Sequence, residues 1–402
     1  MHNLLFPALL LIPWLAPQPR RTEGPWLEHV QAYLSSEGSL SFTAQAHDFP
    51  EAPQDSRLIL EYPSSRQAFP ARQEILEGGL LLSVEADRIQ PLPFPFAVIR
   101  FWWQADLPSG GTVESVPDSF QYFNTDNSWN RLEYGGVTVE WREVGADAAR
   151  NGAELALLAM AAVSADLETP IPDHLELVMY PRLSDFQKDL GDRVRGWEGA
   201  LSSPELGIIL LAAAPGAEGR ISLAVLIPHE VTHVLMWAQW GDAFDVLPLW
   251  LAEGTAAGYE AEGRPESERL LAESAAAGGL IPLQTLCSVF PGEEQPALLA
   301  YAESRSFVLF LRDTYGLEAF RRMIAAYAGG ANCLLGPKDS TGKTLGALET
   351  DWQRTLVPEE PPPSPAWIAV LAGILLLAGV SAVRWLFHRR SAVASAKMEK
   401  MG

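Results

Sequence analysis

Residues 228–237 read PHEVTHVLMW: two histidines four apart, a glutamate directly after the first, and otherwise mostly apolar residues. Such a run constrains the chain around it. The apolar side chains ask for burial, and residues four apart sit one above the other only on a helix. Ser222 to Trp240 is therefore a helix candidate, with Gly219 before it and Gly241 after it. His229 and His233 then face the same way, and two imidazoles so placed bind one zinc ion at about 2.0–2.1 Å each. Glu230 lies about a hundred degrees round the helix, beside the ligand pair. From there it can take a proton from the water such an ion activates and pass it to a leaving group. The alternative is a buried helix that happens to carry two histidines.

A catalytic zinc usually has three protein ligands. His2 and His388 are terminal, and His29 and His47 lie in or before a region of β pattern, which leaves His174 or a carboxylate. Pro248 to Glu260, PLWLAEGTAAGYE, offers Glu253 at the start of an expected second helix. Glu260 falls two turns on, on the same face, where it can orient a ligand histidine or serve as a surface carboxylate.

The rest of the chain divides by pattern. From about Ser39 to Phe123 the sequence is β: SLSFTAQAH, RLILEY and LLLSVEA alternate apolar and polar residues, and FAVIRFWW is rich in β-branched and aromatic side chains. Short strands with Gly/Pro turns suggest an all-β sandwich of immunoglobulin or fibronectin type over 28–125. Beyond it, WNRLEYGGVTVEWRE reads as a hairpin around Gly135-Gly136. Ala148 to Leu167 is helical in spacing, and LELVMYP and GIILLAAA are strand-like. From Ser222 to about Leu356 the pattern is mainly helical, with breaks at Gly241, Gly263, Pro291 and Gly316. The expected class is α+β over 127–357, followed by a stiff proline-rich stalk at 358–365.

Both ends read as membrane addresses. Ala366 to Val383 is free of charge, and Trp385 to Phe387 prolong the apolar run past Arg384, so 366–387 is expected to span a bilayer. The basic residues Arg384, Arg389, Arg390, Lys397 and Lys400 come at its end or after it, which sets the tail 388–402 in the cytoplasm and the bulk of the chain outside. A chain so placed needs an export signal, and Leu4 to Leu15 fits the apolar core of one within 1–20. No basic residue precedes it, and Pro17 after Ala16 makes a poor cleavage site. Cys287 and Cys333, the only cysteines, then read as one disulfide worth roughly 3–4 kcal/mol, or else as two unrelated buried thiols. The formal net charge of −21 repels phosphate backbones and argues against a nucleic-acid partner.

HEVTH followed by WLAEG resembles the gluzincin metallopeptidases, the clan that contains thermolysin and the aminopeptidase N-like enzymes. The resemblance implies a zincin-like domain with Zn2+ held by His229, His233 and Glu253, and with Glu230 as catalytic base. Tyr301, which opens YAESRSFVLFL, is similar to the tyrosine that steadies the oxyanion in aminopeptidase N-like enzymes, although Glu303-Ser304 stand where those have Lys-Gly. The segment with which those enzymes hold a substrate's free amine has only weak counterparts in GWEGAL, residues 196–201, and GIILLAAA, residues 207–214, so exopeptidase specificity is not implied. Position 257, where a thermolysin-like orienting aspartate would stand, is alanine. An edge strand such as GIILLAAA is expected to pair with an extended peptide. The layout resembles bacterial membrane-anchored peptidase MA-like proteins, and cysteines flanking the Tyr301 helix fit that pattern. The expected function is an extracytoplasmic zinc endopeptidase acting on a peptide or protein. A surface binding module that keeps zinc without cleaving, and a hydrolase of a non-peptide substrate, are the alternatives.

Overall fold

The computed structural model describes residues 24–34, 40–62, 65–76, 79–85, 93–122, 129–213, 217–260, 265–356 and 365–398. The expected export signal, the stalk up to residue 364 and the last four residues lie outside them. Two compact units result, Met1–Trp352 and Gln353–Gly402.

The first unit opens with two antiparallel sheets. One holds β1 (Trp26–Leu34), β2 (Leu40–His47), β6 (Gly79–Glu85) and β5 (Arg72–Leu76), in that order. The other holds β4 (Ser65–Pro70), β3 (Asp55–Tyr62) and β7 (Val98–Asp106), with β8 (Thr112–Glu114) and β9 (Asp118–Gln121) both pairing to β7. The apolar–polar alternation decides how they meet. Phe42, Ala44 and Leu82 from the first sheet close on Leu58, Leu60, Phe101 and Trp103 from the second, and all are buried in one core.

A third, mixed sheet follows. β10 (Asn130–Tyr134) and β11 (Val137–Trp141) form the expected hairpin. Gly135 and Gly136 both take positive φ (62° and 89°), as the two central positions of a tight hairpin turn require. α1 (Ala146–Leu167) crosses over to β12 (Leu175–Tyr180), parallel to β11. α2 (Leu183–Leu190) and a short 3-10 turn lead to β13 (Ala200–Ser203), which turns back into β14 (Ile208–Ala212). The sheet order is β10-β11-β12-β14-β13, so β13 is an edge strand antiparallel to β14. β12 is buried on both faces and accordingly shows no alternation. On one face Phe186 and Leu190 of α2 join Val178, Tyr180 and Leu210 around Phe96 of the sandwich. Gln121 of β9 donates to Glu176 of β12 at 2.7 Å, which ties the sandwich to the sheet.

The remainder is helical: α3 (Ala217–Trp240), α4 (Leu249–Gly258), α5 (Pro265–Ala277), α6 (Glu294–Ala328), α7 (Lys338–Thr341) and α8 (Leu345–Leu356). α6 breaks at Gly316 (φ 78°, ψ 163°), where a break was expected. α3 starts five residues before the sequence reading has it and accommodates Pro228 in its interior.

The second unit is dominated by α9 (Pro365–Met398), a helix over the residues expected to span a bilayer. Among the described residues no helix is long and apolar enough to cross a membrane. The side chains described along α9 run only from 369 to 385, so both margins of the expected span, 366–368 and 386–387, fall outside them.

Candidate metal centre

α3 is packed on every side, because α1, α4 and the sheet surround it. Val231, Val234, Leu235 and Met236 are buried around its axis, and this burial explains the absence of an apolar stripe in the sequence. His229 and His233 look from this helix toward α4, where Glu253 sits one turn in from Pro248. Trp250 and Leu251, both fully buried, hold that end of α4 in place.

His229 Nε2 stands 3.3 Å from His233 Nε2 and 3.2 Å from Glu253 Oε2. His233 Nε2 stands 3.5 Å from the same carboxylate oxygen. Ligand atoms on a tetrahedral zinc with bonds of about 2.0–2.1 Å lie roughly 3.3–3.4 Å apart. The triangle therefore has the edge lengths of a zinc ligand set, and no single proton satisfies three lone pairs that converge in this way. These three residues can hold a metal ion.

Glu260 completes the arrangement from behind. Its Oε1 lies 3.2 Å from His229 Nδ1, so that nitrogen carries the proton and leaves Nε2 free to ligate. Burial disfavours charge on His229, but Glu253 and Glu260 on its two nitrogens outweigh burial and push the imidazole up. Burial alone would raise Glu253, yet the two imidazoles hold its carboxyl far below the usual range. Such a site is poised for a cation in place of the shared proton.

Glu230 faces β13. Its Oε2 accepts a 2.6 Å hydrogen bond from Ser202 Oγ. Tyr301, on α6, comes within 6.0 Å of His229, ring centre to ring centre, with Trp197 at 6.5 Å and Phe290 at 5.1 Å on its other sides. Burial first, then the Glu253, Glu230 and Glu198 carboxylates, push its phenol up, so its hydroxyl remains a donor.

What lets α6 come so close is Gly254, next to Glu253. A Cβ there would lie 2.4 Å from the Ser304 carbonyl oxygen and 2.8 Å from Val308 Cγ2. Glu303 points away from the centre, and its buried carboxyl accepts from the Ile281 N–H at 2.9 Å. Cys287 and Cys333 are joined as a disulfide, with Cα atoms 6.2 Å apart. The bridge fastens the loop that carries Phe290.

Some expectations need correction. GIILLAAA is not an edge: β14 is paired on both sides, by β12 and β13. The edge strand beside it is β13, four residues partly inside GWEGAL. Glu198 of that segment is engaged by Arg195, whose N–H donates to it at 2.7 Å. His174 lies 3.7 Å from Glu176 and takes no part in the triangle. Nothing in the sequence marks Ser202 or Phe290, since neither belongs to a spaced pattern.

A family model described as the peptidase MA superfamily matches residues 155–358, more than half of the chain. No protein of curated function matches. An M1 zinc metallopeptidase from Deinococcus radiodurans is 14% identical, with 85% of this chain and 96% of that chain covered and a TM-score of 0.34. An aminopeptidase N family protein from Idiomarina loihiensis is 10% identical, with 85% and 77% covered and a TM-score of 0.37. A cycloalternan-degrading enzyme from Trueperella pyogenes is 15% identical over 25% of this chain, with a TM-score of 0.17. This chain spans 15% of that enzyme's length. At such scores these likenesses are distant.

Proposed function

The chain belongs to the peptidase MA superfamily, and on that premise we propose that it is a membrane-anchored zinc endopeptidase acting outside the cytoplasm. The observation that carries the reading is the triangle of His229, His233 and Glu253 at zinc-ligand spacing, with Glu230 on the next residue of the same helix. Zinc, when bound, polarises the scissile carbonyl and lowers the pKa of its water. His229, His233 and Glu253 would hold the ion, and Glu260 keeps His229 in the ligating tautomer. Glu230 accepts the proton of the attacking water and later delivers it to the departing amine. Tyr301 donates a hydrogen bond from its hydroxyl to the carbonyl oxygen as negative charge develops there.

Cleavage within a chain, rather than at an end, is supported by two features. The Ala212 N–H bonds to the Gly199 carbonyl. By antiparallel alternation the backbone of Gly199, Leu201 and Ser203 then faces β14, while that of Ala200 and Ser202 points off the sheet edge, where an extended peptide can add as a strand. Glu198, the nearest candidate for holding a free amine, is already occupied by Arg195.

Anchoring is supported by the uncharged run 366–383 and by the exposed apolar side chains of α9, with Leu375 72% and Leu377 70% exposed. Such a surface calls for a lipid or protein cover. The chain should stay in the membrane fraction after an alkaline carbonate wash, and release by the wash would refute the anchor. For the chemistry, Glu230→Gln in the full chain should abolish peptide hydrolysis with zinc still bound. Hydrolysis at the unchanged rate would rule the assignment out.

A further inference from the structure

Ser202 belongs to both halves of the reaction at once. Its side chain donates to the Glu230 carboxylate at 2.6 Å, across from β13 to α3. Its backbone, by the alternation set at Gly199 and Ala212, points off the edge of the sheet. We propose that Ser202 is a positioning residue for the general base, fixing the Glu230 carboxylate relative to the strand on which the substrate peptide lies. The inference rests on the peptidase reading.

A glutamate side chain has three rotatable bonds, and a carboxylate held at neither oxygen swings over more than an ångström. The Ser202 hydroxyl takes one oxygen, Oε2, and leaves Oε1 to receive the proton of the attacking water. A peptide added to β13 runs about 4.7–4.9 Å from it, in a register set by the same residue's N–H and C=O. The distance from scissile carbonyl to base is thus spanned by one residue. Misplacement of a reacting group by about 1 Å costs on the order of a hundredfold in rate. The other residues around Glu230 do not duplicate this link: His229 and Glu253 belong to the metal triangle, and Tyr301 is on α6, beyond it.

The test compares Ser202→Ala and Ser202→Thr in the full chain. With a fluorogenic peptide that the parent chain cleaves, Ser202→Ala should lower kcat about 10–100-fold, with KM within about twofold, and Ser202→Thr should restore most of the loss. Zinc affinity, measured by chelator competition, should stay within about twofold for both, because neither touches a ligand. A parent-like kcat for Ser202→Ala, equal impairment of the two variants, or a loss of zinc that parallels the loss of kcat would each overturn the proposal. A melting-temperature cycle gives a readout free of turnover: Ser202→Ala should lower the melting temperature in the parent and leave it unchanged in a Glu230→Ala background. Equal shifts in both backgrounds would show that the bond does not hold the base. If the parent cleaves no peptide, the peptidase reading fails, and the thermal cycle still decides whether Ser202 holds Glu230.

Discussion

Gly254→Ala separates the metal ligands from the group expected to steady the oxyanion. The three ligands stand on α3 and α4, whereas Tyr301 stands on α6, which rests directly on Gly254. An added Cβ would meet the Ser304 oxygen at 2.4 Å, where ordinary contact begins at 3.4 Å, so α6 must retreat by 1.0 Å. The obstacle is backbone, and it cannot rotate aside. Both helices are packed at this contact, with Trp250 and Leu251 of α4 and Phe307 and Val308 of α6 fully buried, so the strain falls on the α4–α6 spacing itself. Ser304 lies one turn from Tyr301 on the same helix, and the phenol therefore moves with it. Overpacking of this kind costs about 1–3 kcal/mol of stability. A displacement of about 1 Å at a catalytic group costs on the order of a hundredfold in rate. The variant should thus bind one zinc normally, melt at lower temperature and show kcat reduced about a hundredfold. These are read by metal analysis, calorimetry and fluorogenic peptide kinetics. An unchanged kcat would refute the view that close approach of α6 to α4 sets the position of Tyr301, and loss of zinc would refute the separation of roles.

Tyr301→Phe should lower kcat by about 10²–10³-fold while leaving KM and zinc content unchanged, since only the oxyanion donor is removed. Glu260→Gln should weaken zinc binding about 10–100-fold in chelator competition, with the fold intact, because it loosens the hold on His229. Burial pushes the Glu303 carboxyl up to about 8, so the folded chain keeps a proton that the unfolded chain loses near its ordinary value of 4.5. Its stabilising share is complete below about 4.5 and is lost as pH rises through about 8, amounting to roughly 5 kcal/mol at most. Glu303→Gln should therefore flatten the fall in unfolding free energy over that window in denaturant titrations, and an unchanged slope would show that the group is ionised in the folded chain.

How much of this could be read from the sequence depended on range. HEVTH is local: its two histidines share a face by helix geometry alone, and the structure places them as that geometry requires. Glu253 was legible because a second short motif surrounds it. The alternation of SLSFTAQAH and RLILEY, and the glycine pair of the hairpin, are likewise local signals. β13 was not legible, since four residues, ALSS, carry too little alternation to outweigh the longer and more apolar GIILLAAA beside them. That longer run is apolar because it is an interior strand, paired on both sides. Ser202 and Phe290 reach the site through pairing and through a disulfide-tied loop, which no spacing in the sequence encodes. Gly254 stood in plain view within WLAEG, but its reason, the carbonyl of Ser304 pressing on it, exists only once α4 and α6 meet.

The most direct test of the account is zinc X-ray absorption on the full chain loaded with one equivalent of metal. Two imidazole nitrogens and one or two oxygens at about 2.0–2.1 Å are expected, with one imidazole contribution lost in His233→Ala. A shell without imidazole, or one unaltered by that substitution, would contradict the site.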